Sequence, residues 1–234
     1  MKLAKITKLP KSPPRRHYDD ACGTAHALEL IGERWALLVV RELMLGPQRF
    51  SDLRADLPGI SANVLTQRLE GLEASGIVRR RRLPPPASSQ VYELTPWGYD
   101  IEPIIQELGR WAARSPAHDA TLPISPVSLM LSFRTMFDPA RARGVNARIG
   151  FRFGAETFLA RLAKGRLEIA RGPVDTAELI LAASPPVLAA SVYGGVPLAA
   201  LEADGALHIE GDRALAARFV TLFVLPEKVS PSPA

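Results

Sequence analysis

A chain of 234 residues is long enough for one large or two modest domains. Its 47% hydrophobic and 23% charged residues place it among globular proteins, outside the ranges of disordered, collagenous or membrane chains. A single cysteine makes no intramolecular disulfide and four scattered histidines give no zinc-ligand spacing, which excludes a stapled or zinc-ribbon scaffold and points to a reducing, cytoplasmic compartment. The net charge of +5 hints at a polyanionic partner, and no metal or cofactor is implied.

Residues 1–18 carry Lys2, Lys5, Lys8, Lys11, Arg15 and Arg16 among Pro10, Pro13 and Pro14; with no apolar stretch behind the charges, they read as a flexible basic arm and not as a secretory signal. Next, Ala25, Leu28 and Ile31, then Trp35, Leu38, Val39 and Leu43, recur at helical steps. Gly32 divides them into two helices, Asp19 and Asp20 are cap candidates for the first, and Gly46 with Pro47 stops the second. Phe50, Leu53 and Leu57 predict a short helix ended by Pro58 and Gly59. Ser61 then caps a helix whose Leu65, Leu69 and Leu72 share one face and whose terminator is Gly76. Residues 77–83 and 90–95 read as two strands joined by a proline-rich tip. Thr95 caps a last helix over 96–113 with Pro96 at its first position and an apolar stripe of Ile101, Ile104, Ile105, Leu108 and Trp111.

Residues 115–126, rich in Pro, Ser, Thr and Ala, have no period and predict a linker between domains at 19–114 and 127–225. The second half begins with a helix around 129–137 and a strand over 147–153. A hairpin turns at Lys164 and Gly165, a short strand covers 178–181, and two helical stretches lie at 187–192 and 198–201. A strand over 207–210 and a helix capped by Asp212 complete an α+β class, and 226–234 reads as a frayed, flexible tail. The longest apolar run, 179–192, is broken by Pro185 and Pro186, so no membrane span is expected.

Two helices, a short helix, a Ser-capped helix and a hairpin, in that order, make a winged helix-turn-helix. If Leu65, Leu69 and Leu72 face the core, then Ala62, Asn63, Thr66, Gln67 and Glu70 face outward, and small and amide side chains suit a major groove. The run Arg79, Arg80, Arg81 and Arg82 has no carboxylate between its members, so duplex phosphates are the expected compensating anion. Ser61, Arg68, Ser88 and Ser89 complete the candidate DNA-contact set. An ordinary solvated helix face is the plain alternative.

The ordered motifs Ile-Gly-x-x-Trp at 31–35, Gly-Pro-x-Arg-Phe at 46–50, Pro-Gly-Ile-Ser at 58–61 and Glu-Leu-Thr at 93–95 resemble those of the HxlR-type winged-helix transcriptional regulators over residues 22–113. The resemblance implies a homodimer on a near-palindromic operator in double-stranded DNA, joined through the terminal helix with support from the first. It also implies that Cys22 is a candidate redox sensor. A helix N-terminus and His26 one turn on would favour a thiolate, whereas a small buried packing residue is the commoner role. Residues 129–223 resemble a sterol-carrier-type domain, which implies an apolar tunnel for a small-molecule effector. Met130, Phe133, Phe137, Phe151, Phe153, Val187, Leu188, Val192, Leu198, Phe219 and Phe223 are its candidate lining, and ordinary core is the alternative. No G-x-S-x-G, His-Glu-x-x-His, P-loop or G-x-G-x-x-G motif supports an enzyme. The competing reading is a lipid or apolar-ligand carrier whose winged helix serves protein contact.

Overall fold

The computed structural model describes residues 18–85 and 88–230; the basic arm lies outside them. The first half runs α1 (Gly23–Ile31), α2 (Ala36–Leu43), α3 (Phe50–Asp56), α4 (Ala62–Ala74), β1 (Val78–Arg82), β2 (Gln90–Leu94), α5 (Pro96–Tyr99) and α6 (Glu102–Ala113). Leu53, Leu57, Leu65, Leu69 and Leu72 bury against Val39, Val40 and Leu43, so the helical stripes read from the sequence converge on one core. Ser61 caps α4 by accepting from the Val64 amide at 3.2 Å. β1 and β2 pair antiparallel, and Gln48 bridges to the outer side of β2 by exchanging backbone hydrogen bonds with Tyr92 at 2.9 and 2.8 Å.

Two local expectations fail. Cys22, not Asp19 or Asp20, is the N-cap of α1; Asp20 instead accepts from the Cys22 amide in a local turn. The helix expected over 96–113 is broken after Tyr99, where Pro103 has no N–H to donate to the Tyr99 carbonyl and starts α6 anew, and the short first turn is clamped by Thr95. Its hydroxyl accepts from the Gly98 amide at 3.0 Å and donates to the Gly76 carbonyl at 2.7 Å, pulling α5 onto the foot of the wing.

The second half comprises α7 (Pro126–Met136), β3 (Ala147–Phe153), β4 (Glu156–Ala163), β5 (Arg166–Arg171), β6 (Leu179–Ala183), α8 (Pro185–Gly194), α9 (Leu198–Ala203), β7 (Leu207–Gly211) and α10 (Arg213–Phe219). Its five-stranded sheet has the order β5-β4-β3-β6-β7, with β3 and β6 parallel and the other pairs antiparallel. Asp212 caps α10 at 2.9 Å as its sequence predicts.

This sheet and its helices close on phenylalanines, which pack as the core alternative of the two sequence readings describes. Phe133 stacks on Phe223 at 4.7 Å and meets Phe219 at 5.7 Å and Phe151 at 5.9 Å, while Phe151 lies 5.6 Å from Phe219, separations typical of tilted and edge contacts. Met130, Phe153, Leu188 and Val192 are also buried, while Phe137, Val187 and Leu198 pack on the rim of the same core. These side chains pack against one another at the contacts of a protein core. Two clefts, of about 520 and 420 Å³, open elsewhere, and of the eleven candidate residues they include Phe153.

The two halves are tied together. Ser125 donates to Glu42 at 2.8 Å, Arg134 pairs with Glu102 at 2.5 Å, and Arg110 donates to the Thr135 carbonyl. The segment expected to fray is also held in part: the Val229 amide donates to the Arg114 carbonyl at 2.9 Å and Lys228 Nζ to the Ser115 carbonyl at 2.9 Å. Among the described residues no helix is long and apolar enough to cross a membrane.

Candidate nucleic-acid interface

The burial of Leu65, Leu69 and Leu72 turns Asn63, Thr66, Gln67 and Glu70 out to solvent along α4, with Ser61 exposed at its start and Ala62 half-buried. Arg68, also in the candidate DNA-contact set, is half-buried on α4. Its Nε donates to the Arg34 carbonyl at 2.8 Å and its Nη2 meets Glu33 at 3.0 Å, so it braces α4 against the α1–α2 corner.

The four wing arginines are exposed, but they are not uncompensated as their sequence suggests. In the β1–β2 register Arg79 stands opposite Glu93, and this carboxylate takes Arg79 at 2.8 Å on Oε1 and Arg81 at 2.9 Å on Oε2. Glu93 is nearly buried, and a buried carboxylate requires such partners. On the opposite face Arg80 pairs with Glu73 of α4 at 2.6 Å and lies 6.0 Å from the centre of the Tyr92 ring, while Arg82 donates to the Ser88 carbonyl at 3.3 Å. Two carboxylates thus face four guanidinium groups, and the wing keeps a positive excess. Ser88 takes a left-handed φ of +35° at the wing tip, and Ser89 Oγ accepts from Arg49 at 3.1 Å, joining the wing to the start of α3.

On α6 the apolar stripe divides. Ile101 and Ile105 pack inward, whereas Ile104, Leu108 and Trp111 are 63%, 46% and 70% exposed. α7 covers part of the remaining surface of α6 through the Arg110 and Arg134 bonds, and among the described residues nothing covers the row of Ile104, Leu108 and Trp111. Leu28 of α1 is exposed as well.

Cys22 is exposed, unlike the buried packing residue that was the alternative to a sensor. The backbone amides of Thr24 and Ala25 at the start of α1, with the Thr24 hydroxyl, hold its thiol below the ordinary value. His26 does not engage it: its Nδ1 lies 3.3 Å from Glu29.

Sequence reasoning missed the charged groups where the two halves meet. Glu42 is fully buried on α2; burial pushes its carboxyl up, opposed by Arg41 at 2.6 Å and by the Ser125 hydroxyl. Asp56, at the end of α3, is pushed up to about 6, first by burial and then by the nearby Glu156 carboxylate. A charged pair, Arg41 and Glu42, inside the apolar run 36–43 was the available signal.

A helix-turn-helix with an exposed amide-bearing helix and a basic wing defines a class of DNA-binding proteins. Residues 30–119 match the model of the HxlR-like helix-turn-helix family. The chain is 40% identical over 86 residues to an uncharacterised HTH-type transcriptional regulator, YvaP of Bacillus subtilis, covering 37% of this chain and 80% of that one. Among solved structures, the quinone-bound YodB of B. subtilis is 35% identical and the redox regulator HypR in its oxidised form is 32% identical. They cover 38% and 39% of this chain and 93% and 94% of theirs, with TM-scores of 0.34 and 0.37. The chain belongs to the HxlR-like family of DNA-binding transcriptional regulators.

Proposed function

We propose that this protein is a homodimeric regulator that reads a near-palindromic operator in the cytoplasm, with residues 19–114 as the DNA-binding and dimerisation domain. The 115–126 segment and the sterol-carrier-like domain at 127–225 follow as a regulatory module. The observation that carries the reading is the row Asn63, Thr66 and Gln67, open on α4 beside a wing with a net excess of guanidinium groups. Asn63 and Gln67 would read base edges, Arg79 to Arg81 would exchange their carboxylate partners for phosphates, and Arg82 would meet phosphate as well. The exposed row on α6 would be covered by a second copy, placing two α4 helices on successive half-sites.

Mobility shift with the DNA upstream of its own gene, at two salt concentrations, tests this. Gln67→Ala is expected to relax specificity at one base position by about 1–3 kcal/mol. Arg80→Ala should weaken all duplexes and reduce the salt slope. Equal losses for Gln67→Ala on operator and on random DNA would remove the base-reading role, and indifference to loss of the arginines would favour the carrier reading.

Cys22 is exposed at a helix start that favours its thiolate, which supports an oxidant- or electrophile-sensing role in this chain. HypR and YodB, described as a redox regulator and as quinone-bound, are similar over this domain. Operator binding before and after peroxide, in wild type and Cys22→Ser, tests it: an equal response in both would dismiss the thiol.

A further inference from the structure

The cleft of about 420 Å³ lies where the two halves meet. Trp35, Leu38, Asp56 and Pro58 come from the first half, Ile124 and Pro126 from the second. Its size and its position between domains are those of small-molecule sites. Trp35 takes a left-handed φ of +79° to cap α2, an unusual conformation for a bulky residue. Gly59 passes close by: a Cβ there would stand 3.8 Å from the Trp35 ring.

The charges around the cleft do not balance. Arg41 is answered by Glu42 at 2.6 Å, and Arg171 by Glu156. Asp56 forms no salt bridge among the described residues; Gln48 and the Arg171 guanidinium, itself paired with Glu156, draw its carboxyl down only in part against its burial. An acid half-removed from water beside apolar walls, with a second carboxylate near, is a place where a cation is welcome.

We propose that this cleft binds a small organic cation, a protonated amine on an apolar system of one or two rings, with the ammonium on Asp56 and the rings between Trp35, Leu38 and Pro58 on one side and Ile124 and Pro126 on the other. The occupant touches both halves, and Pro58 lies three residues before Ser61, the cap of α4. Filling the cleft therefore changes how α4 is held relative to α7. Binding of the cation stands on the cleft alone, whereas its effect on DNA rests on the regulator reading above.

Calorimetry on the full chain with 1-naphthylmethylamine, 1-naphthalenemethanol and 1-naphthoate tests the site. The amine should bind about tenfold more tightly than the alcohol or the acid, the order of one charge-assisted hydrogen bond. Asp56→Asn should erase that preference, and Ala55→Trp, which fills the cleft from its wall, should abolish binding of all three. Thermal unfolding of both variants checks that they fold. The site is overturned if the amine does not bind, if naphthoate binds as well as the amine, which would make Arg41 the anchor, or if Asp56→Asn leaves the preference intact. With the amine at saturation, operator affinity should change by roughly 5- to 150-fold. Amine binding with operator affinity unmoved refutes the coupling, and amine binding by a chain that shifts no DNA refutes the regulator reading while upholding the site.

Discussion

Ser125 stands with its hydroxyl 2.8 Å from Oε1 and 3.0 Å from Oε2 of Glu42, and it does two tasks with that one oxygen. It donates to a fully buried carboxylate of α2 and accepts from the Ser128 amide at 3.0 Å as the N-cap of α7, so a single side chain fixes the start of the second half on the core of the first. Ser125→Ala removes the donor and the cap together. A loss of about 1–3 kcal/mol is expected in urea unfolding. A loss below about 0.5 kcal/mol, the ordinary range of surface substitutions, would show that the contact does not bind the halves.

Asp56 gives the opposite sign. Its folded carboxyl titrates at about 6, above its ordinary 3.8, so between these values the folded chain holds a proton that the unfolded chain has released. Stability from this group is therefore greatest at low pH and falls as pH rises through that window. Asp56→Asn should match wild type near pH 4 and exceed it at pH 7 in melting temperature. A difference that does not grow with pH would mean that Asp56 is not held in this environment.

Leu108 lies at the centre of the uncovered row on α6, flanked by Ile104 and Trp111. Leu108→Glu should leave the melting temperature of the fold nearly unchanged, because the side chain is already half exposed. In sedimentation it should give monomers with weakened operator binding. An undisturbed dimer would place the seam on another face.

Gly98 is packed so tightly that a Cβ would stand 2.2 Å from the Ile77 carbonyl oxygen and 3.3 Å from Leu94 Cβ. Gly98→Ala must push α5 off the foot of the wing and strain the Thr95 clamp. A destabilisation of about 1–3 kcal/mol is expected by chemical unfolding. Full wild-type stability would indicate that α5 and β1 part at no cost.

Much of the local structure was legible because its causes are local. Ser61 and Asp212 announce their helices by capping amides three residues ahead, and Leu65, Leu69 and Leu72 set the face of α4 by helical period alone. The alternation in β3 likewise gave a strand before its partners were known. The ordered motifs of the first half carried the family. What the sequence could not decide is every property that depends on residues far apart in the chain. Glu93 answers Arg79 and Arg81 because antiparallel register brings two strands together, and Arg68 turns to the Arg34 carbonyl because α4 crosses the α1–α2 corner. The phenylalanines of the second half have the periods of either a tunnel lining or a core. The closure of α7 and α10 on the sheet, with Phe133 stacked on Phe223, is what buries them together. The cleft at Asp56 is a product of the meeting of two halves, neither of which encodes it alone: composition and period fix which face of an element is apolar, but packing fixes what that face meets.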